Sequence, residues 1–277
     1  PVDCFCGACD GQIIAETDRY GLAVRTVLCA ECGLLRTSPR MTPDTTVHFY
    51  TEHYRSLYTN AGASVLFETQ HHKGQQFCEV LSQLGDNLVV YEVGCGCGGA
   101  LKAFQEAGHT VAGCDFDTDY LEYGRSHGLE LIEGGADELL KQRGHTADVV
   151  LLTHVAEHFL DLRREFALVM DVITPGGVLL AEVPGLRSIS TDYRGDILLY
   201  LQNAHTYHFT AATFRYVLSC VGFDVLAADE QVVALAQRPL SSNTGQEPAI
   251  AQGEAMATLN YLNEVESAWQ AANATGR

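Results

Sequence analysis

Two pairs of cysteines near the start of the chain have the spacing of a metal site. Cys6 and Cys9 form one Cys-x-x-Cys pair. Cys29 and Cys32 form the second, with nineteen residues between the pairs. Four thiolates from two such pairs give the tetrahedral coordination of a structural Zn²⁺ ion and leave no ligand position open for catalysis. The spacing therefore predicts a structural zinc site, in which Cys4 is a spare that could replace Cys6.

A glycine-rich stretch in the middle of the chain has the pattern of a ligand cradle. The apolar run of residues 89–93 predicts a buried parallel strand, and Gly94, Gly96 and Gly98 follow it at alternate positions. Glycine permits a tight turn and the close approach of a ligand to the backbone. A helical pattern begins near Ala100, and the free N–H groups of a helix N-terminus bind anionic groups. These residues predict a nucleotide-sized cradle.

Two acidic residues refine the expected ligand of this cradle. Asp115 ends the next predicted strand, about twenty residues after the loop, where Rossmann-type sites place the carboxylate that binds a ribose diol. Glu92 precedes the loop and is not expected in a dinucleotide fingerprint. Glu92-x-Gly94-x-Gly96-x-Gly98 together with Asp115 resembles the class I S-adenosylmethionine (SAM) methyltransferases. The alternatives are a nicotinamide enzyme and a Rossmann-like fold that binds no cofactor.

The resemblance implies where SAM is held. The glycine loop runs beside its amino-acid part, the acid of the second strand holds the ribose hydroxyls, and the segment around Gly135 flanks the adenine. The cofactor-binding residues expected on this basis are Glu92, Gly94, Gly96, Gly98, Asp115, Phe116, Gly135, Ala136, Thr153 and Tyr54.

The elements that must position these residues predict an α/β fold. Apolar runs alternate with helical patterns from residue 86 onward, which is typical of a Rossmann-like, doubly wound, mostly parallel sheet. A small zinc-binding β-hairpin module is expected to precede it. The expected segments are a zinc-binding module (1–45), a helical lid or linker (46–85), the SAM-binding methyltransferase domain (86–238) and a linker with a C-terminal helix (239–277).

The N-terminal region carries a narrower resemblance. The knuckle Cys29-x-x-Cys32-Gly-Leu, a following proline and a Phe-Tyr…Tyr stretch are similar to the zinc-binding region of bacterial sugar C-methyltransferases and related small-molecule methyltransferases. In those enzymes the tyrosine-bearing segment lies over the SAM pocket and contributes to the substrate site. Tyr50 and Tyr54 match it at i and i+4 of one helix face. The alternative is that both tyrosines pack as core.

Two histidines are candidates for proton transfer. His154 follows the fourth predicted strand, at the sheet edge where ligands of doubly wound folds bind, and the resemblance implies that it faces the SAM methyl group. Glu157 and His158 follow on the same segment, where fixing the loop is the favoured role. His205 lies in a block that resembles the Glu-His segment of sugar C-methyltransferases, and it is the first candidate for general base, with His154 second. A loop-anchoring role for His205 is the alternative.

The block around His205 departs from the family pattern. Ala204 stands at the glutamate position and Gln202 at the tyrosine position. Removing a proton next to a carbonyl, as C-methylation requires, needs a stronger base than deprotonating a hydroxyl. The departure therefore widens the expected reaction to O- or N-methylation.

Composition excludes several other classes. The formal net charge is −18, with 35 acidic and 17 basic residues, which disfavours nucleic-acid substrates. No apolar run approaches the length of a membrane span and no segment resembles a signal peptide, so we expect a cytoplasmic protein with no membrane partner. Ten cysteines in a reducing compartment indicate metal or core roles rather than disulfides.

The C-terminal segment predicts a packing surface. Residues 255–272 show apolar side chains on one helix face, among them Met256, Leu262 and Trp269. Such a face packs on its own domain or on a partner chain, so a homodimer or a larger parent protein is an expected alternative. A start at Pro1 rather than Met also indicates a piece of a larger protein.

These observations together predict SAM-dependent methyl transfer to a small hydroxylated substrate, namely a sugar, a sugar nucleotide or a glycosylated natural product. Two other functions stay open at this point. One is an RNA methyltransferase with a zinc ribbon, and the other is a non-catalytic SAM-binding module of a larger synthase.

Overall fold

The strands that position the site belong to two sheets. The computed structural model describes residues 2–54, 57, 62–241 and 248–274. Its strands are β1 (Gly11–Ala15), β2 (Thr26–Cys29), β3 (Leu35–Thr37), β4 (Val89–Val93), β5 (Thr110–Asp115), β6 (Leu131–Glu133), β7 (Ala147–Thr153), β8 (Ile173–Glu182), β9 (Tyr207–His208), β10 (Asp224–Ala228) and β11 (Val233–Gln237).

The large sheet has the order β10-β11-β8-β7-β4-β5-β6. Its central strands run parallel, whereas β11 is antiparallel to both β8 and β10. Val90 pairs with Val111 on one side and with Val149 on the other, and all three side chains are buried. Apolar side chains on both faces require helices on both faces, which is why this sheet is doubly wound. The predicted Rossmann-like fold is confirmed.

Helices cover both faces of this sheet. The helices are α1 (Pro43–Phe49), α2 (Ala63–Leu81), α3 (Gly99–Glu106), α4 (Thr118–Ser126), α5 (Ala136–Arg143), α6 (Leu162–Val172), α7 (Ala211–Cys220) and α8 (Glu254–Ala274). Single turns of helix occur at Tyr50–Tyr54, Ser82–Leu84, Ala156–His158, Leu186–Ser188, Ile189–Asp192 and Ile197–Tyr200.

Helix α2 belongs to the core of the Rossmann-like domain. Phe67, Phe77 and Leu81 on its inner face are buried in one cluster with Leu101 and Phe104 of α3. Burying three large apolar side chains stabilises this contact by roughly 5–9 kcal/mol. The segment 46–85, which we expect to be a helical lid or linker, thus contains a helix that packs into the core of the domain.

The small sheet joins the N-terminal segment to the large domain. Its order is β1-β2-β3-β9, so the predicted hairpin is extended by a strand from residues 207–208. Leu35 and Arg36 of β3 pair with His208 and Tyr207 of β9. The hydroxyl of Thr37 also donates a hydrogen bond to the carbonyl of His205 at 2.9 Å. The fold of the cysteine-rich segment therefore sets the position of the histidine-rich segment.

Helix α8 packs on its own chain. Leu262 and Val265 are buried against Leu28 and Leu35 of the small sheet and against the turn that contains Ile189. Of the two expected packing partners, the structure shows the chain's own domain. No helix in the described ranges combines the length and the apolar character needed to cross a membrane.

Candidate functional site

Four cysteine thiols converge at the end of the small sheet. The Sγ atoms of Cys4, Cys6, Cys29 and Cys32 all lie within 4.8 Å of one another. The Cys4–Cys32 and Cys6–Cys29 sulfur distances are 3.5 and 3.6 Å. Four sulfurs at Zn–S bonds of about 2.3 Å in a tetrahedron lie about 3.8 Å apart, so this donor set fits a structural Zn²⁺ ion.

This cluster corrects the ligand set expected from the spacing. Cys4 is a member and Cys9 is not, since Cys9 is exposed. A tight turn closed by hydrogen bonds from Gly7 N to Cys4 O (2.8 Å) and from Cys4 N to Ala8 O (2.9 Å) brings Cys4 and Cys6 together. The chain then leaves the turn toward β1 and carries Cys9 away from the other thiols. Cys4 thus replaces Cys9 rather than Cys6.

The glycine loop at the end of β4 is tied to Asp115 at the end of β5. Gly94, Gly96 and Gly98 all have positive φ angles, of 73°, 53° and 73°. The backbone N–H of Gly96 donates to Asp115 Oδ2 at 2.8 Å, and that of Asp117 donates to Oδ1 at 2.9 Å. The carboxylate therefore shapes the loop and keeps further lone pairs for a ligand. Burial raises the pKa of Asp115 despite these hydrogen bonds.

A third partner of the loop, Gln70 of α2, is not predicted by the sequence patterns. Its Nε2 donates to the carbonyl of Cys95 at 2.9 Å, and its Oε1 accepts from the N–H of Gly99 at 3.3 Å. One polar residue on an amphipathic helix carries no signal in the sequence. Its role follows only from the packing of α2 over the loop.

Gly94 is the loop position with the least room. A Cβ there would lie 2.3 Å from Val155 Cγ2, in a backbone conformation with φ of 73°. We expect Gly94→Ala to destabilise the fold by about 1–3 kcal/mol and to weaken SAM binding. The backbone strain of alanine at a positive φ and the clash of its Cβ with Val155 both contribute to this cost. Chemical denaturation and calorimetry measure the two effects.

Gly108→Ala is the matched control for Gly94→Ala. Gly108 has φ of 93° but nothing within 4 Å of its would-be Cβ, so it reports the conformational cost alone. Equal costs for the two variants would show that contact with Val155 is unimportant.

Orphaned polar atoms line the same cradle. Glu92 is buried, and its Oε2 has no hydrogen-bond partner among the described residues. Burial, followed by the nearby Asp115 carboxylate, raises the pKa of Glu92. The buried Oγ1 of Thr153, at the end of β7, has no hydrogen-bond partner in the described chain either. Buried polar atoms are normally hydrogen-bonded, so these two fit a bound ligand with polar groups.

The rim of the cradle is apolar on the side of β6. Phe116 is 76% exposed and lies next to Gly135, with Ala136 starting helix α5 behind it. An exposed aromatic ring beside backbone N–H groups suits a flat heteroaromatic base. The residues present thus fit SAM.

Substituting Asp115 tests the expectation that its carboxylate holds the ribose of SAM. We expect Asp115→Ala to raise the SAM dissociation constant about 100-fold or more, because hydrogen bonds to a charged group contribute about 1.5–3 kcal/mol each. Isothermal titration calorimetry measures this. Asp117→Ala is the control, since Asp117 Oδ1 accepts the N–H of Tyr120 at 3.0 Å as a helix cap and its loss affects stability rather than binding. Unchanged SAM affinity in Asp115→Ala would contradict the assignment.

His154 projects from the carboxyl end of β7. Its side chain is 53% exposed, and its Nδ1 and Nε2 lie 3.6 Å from Glu157 Oε1 and 3.6 Å from Glu182 Oε1, respectively. Lys73 of α2 forms an ion pair of 2.7 Å with the other Glu182 oxygen. Burial lowers the pKa of His154, but the two carboxylates raise it by more, so the pKa is raised overall. His154 is an accessible imidazole with an acidic partner on each side.

His205 is more deeply buried than a group that contacts substrate should be. It is 4% exposed, and its ring contacts those of His158 and His208, at centroid distances of 4.9 and 5.7 Å. The amide Nε2 of Gln202 lies 2.5 Å from its Nε2. Burial holds the pKa of His205 well below its usual value, and His158 and His208 add to this effect. Of the two candidate bases, the exposed one is His154.

The tyrosine segment reaches this region in part. The ring of Tyr50 packs edge-on against that of His158 at a centroid distance of 6.0 Å. Tyr54 ends the same turn of helix, and its side chain lies outside what the structure describes.

The fold and the site together define a Rossmann-like domain of the SAM-dependent methyltransferase class, with a cysteine-rich N-terminal sheet. The chain belongs to the methyltransferase domain family, whose sequence profile matches residues 69–228.

Comparison with individual proteins agrees with this class. The chain is 23% identical over 256 residues to the C-methyltransferase NovU of Streptomyces niveus, covering 87% of this chain and 58% of that protein. It is 30% identical over 99 residues to a ubiquinone biosynthesis O-methyltransferase of Brucella anthropi. This match covers 34% of this chain and 40% of that protein. The chain thus spans about half the length of these relatives.

A solved structure has the same fold. The N1-methyltransferase of Burkholderia thailandensis that acts on 1,6-didemethyltoxoflavin, bound to that compound and S-adenosylhomocysteine, superposes with a TM-score of 0.55. The match is 16% identical and covers 76% of this chain and 97% of that one.

Proposed function

We propose that this chain transfers a methyl group from SAM to a small hydroxylated acceptor, namely a sugar, a sugar nucleotide or a glycosylated natural product. The proposal depends mainly on one observation: His154, the glycine loop and Asp115 lie at the carboxyl ends of neighbouring parallel strands, at the same edge of the large sheet. The similarity to the C-methyltransferase NovU over 87% of this chain supports methyl transfer.

The cofactor would be held by the residues of the cradle. Asp115 would accept the ribose hydroxyls, Glu92 would accept donors of the amino-acid part, and Phe116 and Gly135 would flank the adenine. When bound, SAM supplies a methyl group on a sulfonium centre, which is a strong electrophile. The protein then needs to align the acceptor and to take one proton.

His154 is the residue that we assign to the proton. A neutral imidazole at this exposed position can accept the proton of an acceptor hydroxyl, and Glu182, held by Lys73, orients the ring from the far side. Ala204 leaves no carboxylate at the position where sugar C-methyltransferases carry a glutamate. An oxygen or nitrogen acceptor therefore suits this site better than carbon.

The cysteine cluster is proposed to hold a structural Zn²⁺ ion on Cys4, Cys6, Cys29 and Cys32. All four positions are protein thiols, so this ion takes no part in the reaction. Its function is to hold the small sheet, and through strand β9 the segment of His205.

A methyl-transfer screen with labelled SAM tests the proposal. The purified full chain is incubated with pooled sugar nucleotides, glycosylated metabolites and tRNA, and label should appear in a sugar-containing product. Label in tRNA would overturn the proposed acceptor class and show that a net charge of −18 does not exclude an RNA substrate. Tight SAM binding in calorimetry without any transfer would instead favour a non-catalytic module.

A further inference from the structure

A second group of metal-ligating side chains lies under His154. Glu157, His158 and His205 each offer one donor atom, and these three atoms lie within 4.8 Å of one another. Glu157 Oε1 is 3.8 Å from His158 Nε2 and 3.9 Å from His205 Nε2. The group shares no residue with the cysteine cluster, and the methyl-transfer proposal above assigns it no role.

Glu157 is the member that most needs an explanation. It is 2% exposed, and both carboxylate oxygens lack a hydrogen-bond partner among the described residues. The nitrogens of the three neighbouring histidines, at 3.6 to 3.9 Å, are beyond hydrogen-bond distance. A buried carboxylate without hydrogen bonds is costly unless a cation compensates its charge. Among the described residues no Lys or Arg forms an ion pair with it.

The histidines are prepared to act as ligands. His158 Nδ1 lies 2.9 Å from the carbonyl oxygen of Ala204, which can only accept, so the proton belongs on Nδ1. The lone pair is then on Nε2, which lies 3.8 Å from Glu157 Oε1. Such a backbone contact fixes the tautomer of metal-binding histidines. The backbone of His205 is held by Thr37 from the small sheet.

We propose that Glu157, His158 and His205 bind a divalent transition-metal ion of the Zn²⁺ type. Two imidazoles and one carboxylate are a ligand set of such ions, whereas Mg²⁺ and Ca²⁺ prefer oxygen ligands. Two donors that share an ion at about 2.1 Å each lie at most about 4.2 Å apart, so both distances to Glu157 allow a common ion. The Gln202 amide must release His205 Nε2 when the ion binds.

The position of the ion suggests its use, and this step rests on the proposed function. Three protein ligands leave a coordination position for an acceptor oxygen. Glu157 Oε1 is 3.6 Å from His154 Nδ1, so such an oxygen would lie close to the proposed base. Coordination lowers the pKa of a bound hydroxyl. Its proton passes to His154 as the oxygen takes the methyl group and S-adenosylhomocysteine leaves.

Cobalt titration of the metal-free full chain tests the site without any methyl transfer. Co²⁺ bound by the four cysteines gives thiolate-to-metal charge-transfer bands, whereas Co²⁺ on Glu157 and two histidines gives only ligand-field bands. We expect the charge-transfer bands to saturate at one equivalent and a second equivalent to bind without them. A single equivalent that carries all the absorption would overturn the proposal.

Variants identify the ligands. Glu157→Gln and His158→Gln should weaken the second equivalent by at least ~10-fold and leave the thiolate bands unchanged. His208→Gln is the matched control, since His208 is buried in the same cluster but lies outside the donor group. A second equivalent that binds normally to Glu157→Gln would refute the assignment.

Thermal unfolding separates metal binding from a structural role of Glu157. In protein that carries one equivalent of metal on its cysteines, Glu157→Gln should unfold at the same or a higher temperature, because the amide avoids the cost of a buried carboxylate that has no hydrogen bonds. The second equivalent should stabilise the wild type but not this variant. If cobalt binds as expected but no acceptor is methylated, the proposed function fails and the metal site stands.

Discussion

Replacing Cys29 by serine is expected to prevent this protein from binding the proposed zinc ion and to lower its melting temperature by about 10 °C or more. Structural Zn²⁺ sites contribute about 10–16 kcal/mol of apparent binding free energy, and losing even part of this shifts the melting temperature by several degrees. The small sheet runs from the cysteine-rich segment to β9. If the sheet is lost with the metal, the segment that contains His205 and β9 is released as well. Metal content by elemental analysis and thermal unfolding measure the result.

Cys9→Ser is the control for this prediction, since Cys9 is exposed and lies outside the cluster. It should retain zinc and the wild-type melting temperature. Cys4→Ser should lose zinc as Cys29→Ser does, which separates the ligand set of the structure from the set that spacing alone favours. Zinc loss in Cys9→Ser with retention in Cys4→Ser would reverse this conclusion. Cys29 is fully buried, so its replacement by serine lowers stability even without an effect on zinc. The metal content of each variant, rather than its stability, therefore identifies the zinc ligands.

Replacing His154 by glutamine is expected to lower kcat for methyl transfer by about 10²- to 10⁴-fold, which is the usual contribution of a positioned general base. The amide keeps the size and polarity of the side chain but cannot take a proton at neutral pH. The dissociation constant for SAM should change little, because the cradle is built from other residues. Single-turnover transfer from labelled SAM measures the chemical step directly.

Two further variants delimit the role of His154. Glu182→Gln should lower kcat less than His154→Gln, because Glu182 only orients the imidazole ring of His154 and does not itself take the proton. His71→Gln should leave kcat unchanged, because the His71 side chain pairs with Glu106 of α3 and not with His154 or its two carboxylates. Normal transfer by His154→Gln would show that His154 is not the base.

Much of the fold follows from local sequence patterns. The apolar runs, the glycines after the first parallel strand and the acid that ends the second one predicted a doubly wound sheet, and the structure confirms it. The structure also brings Gly96 and Asp115 into direct hydrogen bonding. Such features are predictable because a strand, a turn and a helix start are each encoded within about ten residues, and parallel strands align their carboxyl ends at one edge.

Other features of the site were set by contacts between distant segments. The choice of Cys4 over Cys9 depends on the direction in which a turn leaves the cluster. The burial of His205 depends on the pairing of strand β9 with the N-terminal sheet. The hydrogen bonds from Gln70 to the glycine loop depend on the packing of α2 over that loop.

The sequence by itself therefore determined the type of fold, the glycine loop beside Asp115 and the presence of a cysteine cluster in the N-terminal segment. The tertiary structure alone decided which thiols meet, which histidine reaches the open side of the site, and that Glu157 is buried among three histidines. The physical reason is the distance along the chain over which each feature is determined. Backbone conformation and hydrophobic periodicity are local, whereas burial and the meeting of ligands from residues 157 and 205 depend on the packing of the whole chain.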